Sequence, residues 1–120
     1  MNKVLVINRD DDLLDLVKRV LSQRNLVAKT IKTKDRVMEI IDDFQPDAIL
    51  IDIENDKDGD LVNEIKQHLS KDNTPVMLMV GDTGYDIDYS RFSADDYIKK
   101  PFDSESLANM IKKNVKEKTA

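Results

Sequence analysis

Short apolar runs alternate along the chain with longer stretches in which apolar residues recur every three or four positions. Val4-Leu5-Val6-Ile7 is a run of four β-formers bounded by Asn8 and acidic residues. A continuous apolar run suits a strand covered on both faces. Leu13, Leu14, Leu16, Val17, Val20 and Leu21 then repeat at helical spacing, after Asp10, Asp11 and Asp12, whose charge favours a helix start. Leu26 to Ile31 predicts a second short strand. Thr33 is the expected cap of a helix carrying Val37, Met38, Ile40 and Ile41. Pro46 breaks the chain before a third buried strand, Ala48-Ile49-Leu50-Ile51. Leu61, Val62, Ile65 and Leu69 predict a third helix. Thr74-Pro75 leads into a fourth strand, Val76 to Val80, since proline is tolerated at a strand's first position. Gly81 to Ser93 hold Ile87, Tyr89 and Phe92 among glycines and acids, so a fourth helix there is short or irregular. Tyr97 and Ile98 form a brief fifth strand. Pro101 ends it, and Asp103 is the expected cap of a last helix with Leu107, Met110, Ile111 and Val115.

The resulting order is βα, five times over. Such repetition implies an α/β domain with a parallel sheet, helices on both faces and right-handed crossovers. Functional groups in such sheets lie beyond the carboxyl ends of the strands. The candidate ends are Asn8 to Asp10, Asp52, Val80-Gly81 and Lys100-Pro101. Periodicity alone does not say which kind of α/β sheet this is. The 120 residues suit one domain over 1–120, with 113–120 a frayed helix end or the start of a linker.

Composition removes several classes of function. Net charge is −5, with lysines and arginines interspersed among acids, so no basic face draws nucleic acid or an anionic membrane. The absence of cysteine excludes disulfides and thiolate metal sites and fits a cytoplasmic protein. The single His68 excludes a histidine cluster and reads as a surface helix residue. No stretch approaches the ~20 apolar residues that span a bilayer. Met77 and Met79 read as core filling.

Three segments carry a resemblance. Ala94-Asp95-Asp96-Tyr97-Ile98-Lys99-Lys100-Pro101-Phe102, Pro46-Asp47-Ala48-Ile49-Leu50-Ile51-Asp52 and Thr74-Pro75-Val76 with Met77-Leu78-Met79 follow one another at the spacing of receiver domains of two-component response regulators. The chain resembles that family from Lys3 to about Lys113. The resemblance implies a flavodoxin-like (βα)5 three-layer sandwich with strand order 2-1-3-4-5. It implies a phosphorelay signalling domain, not an enzyme beyond accepting a phosphoryl group on itself. It implies a partner kinase or phosphotransfer protein and a downstream effector. In such a domain a carboxylate attacks phosphorus in line, and Mg²⁺ offsets the phosphoryl charge. By resemblance Asp52 falls on the phosphoacceptor, Lys100 on the lysine that pairs with the phosphoryl group, and Tyr97 on the switch aromatic. Glu54 falls where a backbone carbonyl meets the metal. The Lys100-Pro101 bond is expected to be cis on the same ground.

The match then departs from the family. Its acidic pair falls on Asn8 and Arg9, and its Thr or Ser hydroxyl falls on Val80. The loop after Asp52 lacks the family's usual proline and is about one residue short. The stretch from Val80 to Tyr97 is also shorter than typical. A typical pocket leaves an excess of about two negative charges for the metal. Here Arg9 and Lys100 stand against Asp52 and, at the edge, Asp10, which leaves the pocket roughly neutral. Unit charges about 4 Å apart interact by ~4 kcal/mol at an effective dielectric near 20, so a guanidinium in place of a ligand carboxylate costs the metal several kcal/mol. Arg9 is expected to pair with Asp52, because a planar fork suits a carboxylate. Loss of a hydroxyl bond to a charged group costs ~1.5–3 kcal/mol. The expectation is an atypical receiver with weak or absent Mg²⁺ binding and phosphorylation, acting through protein contacts. An alternative keeps phosphorylation, with Asp10 or Asp11 moved in to hold metal.

Blander readings stand beside these. Asp10 to Asp12 are explained as helix-start charge, and Tyr97 as a half-buried aromatic. Glu54-x-Asp56-x-Asp58-Gly59 brushes the calcium-loop pattern, but Ile65 stands where the bidentate Glu belongs. A flavodoxin-like cofactor-binding enzyme shares the strand order, yet Asn8-Arg9-Asp10-Asp11-Asp12 is a poor phosphate cradle and no glycine-rich phosphate motif exists.

Overall fold

The computed structural model describes residues 3–9, 11–70, 73–81 and 92–115. Five strands form one parallel sheet in the order β2-β1-β3-β4-β5. They are β1 (Lys3–Ile7), β2 (Val27–Ile31), β3 (Ala48–Ile53), β4 (Val76–Val80) and β5 (Asp96–Lys99). The described helices are α1 (Asp11–Gln23), α2 (Val37–Phe44), α3 (Asp56–His68) and α4 (Ser104–Asn114). The order matches the flavodoxin-like expectation. The 82–91 stretch, where an irregular helix was expected, lies outside the described residues.

The alternation of side chains along a strand explains the two cores. Val4, Val6, Ala48, Leu50, Met77 and Met79 face α1 and α4 in one cluster. Leu5, Ile7, Ile49, Ile51, Ile53 and Leu78 face α2 and α3 in the other. The central strands β1, β3 and β4 are therefore apolar on both faces, as their unbroken runs in the sequence demand. Met77 and Met79 are fully buried, in keeping with core filling.

Helix boundaries correct the sequence reading in two places. Thr33 does not cap α2. Its hydroxyl accepts from the Asp35 amide at 3.0 Å, and the capping position is Arg36, in the left-handed region at φ 61°. The loop 32–36 thereby turns once more before the helix begins. α3 starts at Asp56, a full turn earlier than its apolar spacing suggested. Asn55 accepts from the Asp58 amide at 3.1 Å, while Asp58 Oδ2 accepts from the Asn55 amide at 3.2 Å and the Glu54 amide at 2.8 Å. This reciprocal capping box satisfies backbone donors at the helix start that would otherwise be orphaned. Asp58, one of the acids at the calcium-loop-like spacing, thus has one carboxylate oxygen committed to backbone amides at the helix start. Gly59 follows because a side chain there would collide with the Phe92 ring. α4 runs to Asn114, so the last helix continues past 113, while 116–120 lie outside the described residues.

Candidate functional site

The carboxyl ends of the strands build the site. β3 stays paired with β4 through Asp52 and Ile53, which holds Asp52 rigidly at the rim. Asp52 is 2 % exposed. The Lys100 amide donates to the Val80 carbonyl at 2.8 Å and continues the β4–β5 ladder. The Lys100-Pro101 bond that follows is cis, as expected. From there the Lys100 ammonium donates to Asp52 Oδ1 at 2.6 Å. Two residues 48 positions apart are thus joined in one ion pair, its carboxylate buried and its ammonium partly exposed. Charge-assisted bonds of this kind are short and strong, and the pair offsets the cost of burying the carboxylate.

The β1 side of the rim differs from expectation. The Asn8 amide donates to the Ile31 carbonyl at 3.0 Å, which anchors Asn8 beyond β1. Asn8 is buried, whereas Arg9 is exposed. Arg9 does not pair with Asp52. Its side chain instead lines a cleft of about 340 Å³ with Lys34, Asn55, Asp58, Asp60 and Glu64. A solvated guanidinium is cheaper than one forced under the rim, where Lys100 already meets the carboxylate. The second cation near Asp52 is Lys34. Its ammonium donates to the Asp52 backbone carbonyl at 3.0 Å and pairs with Asp58 Oδ1 at 2.5 Å.

The sequence reading missed Lys34 and Asp58. Asn55-x-x-Asp58 has the spacing of a capping box, so the role of Asp58 at the helix start was legible. Lys34 carried only its position after a strand at the same rim.

The remaining candidates are dispersed. Val80 is buried in the core beneath α2 and α3. Tyr97 is half exposed on β5. Glu54 is exposed, its amide held by Asp58. Asp11 pairs with Lys32 at 2.5 Å on the surface, so it is engaged away from Asp52. Asp10 lies outside the described residues. Among the described residues no three acidic or histidine side chains converge as metal ligands. His68 sits on the α3 surface 2.7 Å from Asp42. Among the described residues no helix is long and apolar enough to cross a membrane.

The family model of the response regulator receiver domain matches residues 4–112. The chain belongs to the response regulator receiver family. It is 30% identical over 118 residues to the nisin biosynthesis regulatory protein NisR of Lactococcus lactis, covering 95% of this chain and 50% of that protein. It is 26% identical over 115 residues to the transcriptional regulatory protein CpxR of Klebsiella pneumoniae, covering 93% and 48%. The chain therefore spans about half the length of these curated relatives. A putative response regulator from Chloroflexus aurantiacus superposes with a TM-score of 0.82 at 19% identity, covering 95% of this chain and 97% of that one, a likeness of fold. This receiver domain is a part of two-component signalling. Receiver domains as a family act with kinases and effectors and generally bind Mg²⁺ at the phosphorylation site.

Proposed function

We propose that this receiver works mainly by protein–protein contact, with weak or no Mg²⁺-dependent phosphorylation at Asp52. The observation that supports it is the company Asp52 keeps. Its carboxylate is bonded to Lys100, its backbone carbonyl to Lys34, and the neighbouring acidic-pair positions hold Asn8 and the cation Arg9. A divalent cation favours several oxygen ligands with an excess of negative charge. The described donor set is a poor fit: one carboxylate and one amide, with two ammonium groups on Asp52 itself and an exposed guanidinium at Arg9.

In this reading Asp52 is the carboxylate that would accept a phosphoryl group, and Lys100 the ammonium that would accompany it. Mg²⁺, when held, would supply charge neutralisation of the phosphoryl oxygens through Asp52 and the Glu54 carbonyl. Val80 provides shape without a hydroxyl, so a phosphoryl group would lack the bond that draws Tyr97 inward. The output then depends on surfaces that a kinase or effector reads without modification. The whole protein, by analogy with its longer relatives, would couple this domain to a further output domain.

Incubation with a small-molecule phosphodonor and Mg²⁺, followed by intact mass measurement, tests the proposal. Little or no adduct is expected. A stoichiometric adduct lost in Asp52→Ala overturns it, and restores the reading in which Asp10 or Asp11 contributes to a metal site.

A further inference from the structure

We propose that Lys34 is a resident cation of the pocket and the residue that sets its selectivity against divalent metal ions. The inference deepens the proposed function and rests on its reading of a pocket that takes Mg²⁺ weakly. Lys34 belongs to the loop after β2, yet its contacts are on β3 and α3. With the order β2-β1-β3, the loop and the side chain together must cross the end of β1, a span of about two strand spacings, or ~10 Å. The loop is shaped for that reach. Thr33 holds the Asp35 amide, and Arg36 takes a left-handed turn before α2 begins.

Both contacts are with groups that have been prepared for it. Asp58 gives one carboxylate oxygen to the capping box and the other to Lys34. The Asp52 carbonyl lies at the rim, where an oxygen would otherwise meet solvent or a cation. The Lys34 side chain is only 15% exposed, so its charge acts in a poorly screened setting. Lys34 differs from Lys100 in one respect that matters. Lys100 touches the carboxylate itself and would follow a phosphoryl group. Lys34 touches the backbone of the same residue and stays when the carboxylate is modified. It balances the Asp58 carboxylate beside Asp52 in every state; without that balance the uncompensated carboxylate would attract a divalent ion more strongly than a monovalent one.

Mg²⁺ titration followed by amide NMR shifts around Asp52 tests the proposal. Lys34→Gln and Lys34→Met remove the charge, the second keeping the apolar stem. Each is expected to tighten Mg²⁺ binding about tenfold or more. Lys34→Arg keeps the charge and is expected to stay within about twofold of the parent. Lys57→Gln removes an equal charge from an exposed residue of the same cleft and is expected to change affinity by less than about threefold. Unchanged affinity in both neutral Lys34 variants overturns the proposal, as does equal tightening in Lys57→Gln, which would reduce the effect to net charge. A merely structural Lys34 would lower stability and leave Mg²⁺ affinity where it was. The two readings fail separately: adduct formation on the parent protein decides the reading of Asp52, and the ratio of variant to parent affinity decides Lys34.

Discussion

The two halves of the rim solve one electrostatic problem differently. On the β4–β5 side, Lys100 leaves the sheet beside a cis proline and bonds the Asp52 carboxylate directly. On the β1–β2 side, Asn8 and Arg9 replace acids, and Lys34 bonds the Asp52 carbonyl through a link shared with the α3 cap. The first half pairs a charge that must be buried. The second half brings in an ammonium from a neighbouring loop and shares it between a backbone carbonyl and a helix cap. Under the proposed function, the pocket would keep its acceptor carboxylate on β3 and still hold metal weakly, because the end of β1 carries Asn8 and Arg9.

Restoring the acids on the β1 side gives the largest expected effect. Asn8→Asp with Arg9→Asp shifts local charge by three units, from +1 to −2, and is expected to raise Mg²⁺ affinity on the order of a hundredfold. The melting temperature should then rise with added Mg²⁺, because ligand bound only to the folded state stabilises it. A melting curve indifferent to Mg²⁺ would break the contrast between the two halves.

Lys100→Met attacks the other half. It leaves a carboxylate buried without the ammonium that meets it, and should lower stability by about 3 kcal/mol in urea denaturation at neutral pH. Adding Asp52→Asn should recover more than half of that loss. Should the single variant cost under ~1 kcal/mol, Lys100 would count as a surface lysine of little consequence.

Asp58→Ala removes the α3 cap and the partner of Lys34 together. A loss of about 2 kcal/mol is expected, read by the same denaturation. If Lys34 is held mainly by Asp58, the amide shifts of residues 32–36 should move along with those of Asn55. Shifts confined to α3 would sever the two halves of that link.

The smallest effect lies far from both halves. Asp103 caps α4, and its carboxyl sits below its usual value, first because the Ser106 amide donates to it and then because the Ser106 hydroxyl does. A depressed folded-state value contributes stability above the unfolded value, near pH ~4, and loses it as pH falls through the folded one. Asp103→Ala should therefore melt lower than the parent at neutral pH, with the gap closing in acid. A gap independent of pH would mean that the cap acts by geometry alone.

Much of the architecture could be read along the chain. The runs Val4 to Ile7, Ala48 to Ile51 and Val76 to Val80 are strands buried on both faces, and Asp103 caps the last helix as its spacing suggested. The start of α3 was misplaced because its polar first turn carries no apolar period, and that of α2 because Thr33, a cap residue type, holds the Asp35 amide in a turn before the helix. Asn55 and Asp58 open α3 through side-chain bonds to backbone amides, a signal of residue type and spacing rather than of hydrophobicity.

What the sequence determined by itself was the repeating order of strands and helices and the alignment of Asp52 with Lys100. Both follow from local periodicity and a continuous family pattern, since burial on two faces imposes a composition that can be recognised residue by residue. Only the tertiary structure decided which cation meets which oxygen around Asp52. Arg9 is adjacent to the rim in sequence yet stands in solvent, while Lys34 arrives from the next loop across a whole strand. That choice depends on the left-handed turn at Arg36, the crossing order of the strands and the second oxygen of a helix cap. These are relations between distant segments, and they exist only once the sheet has closed.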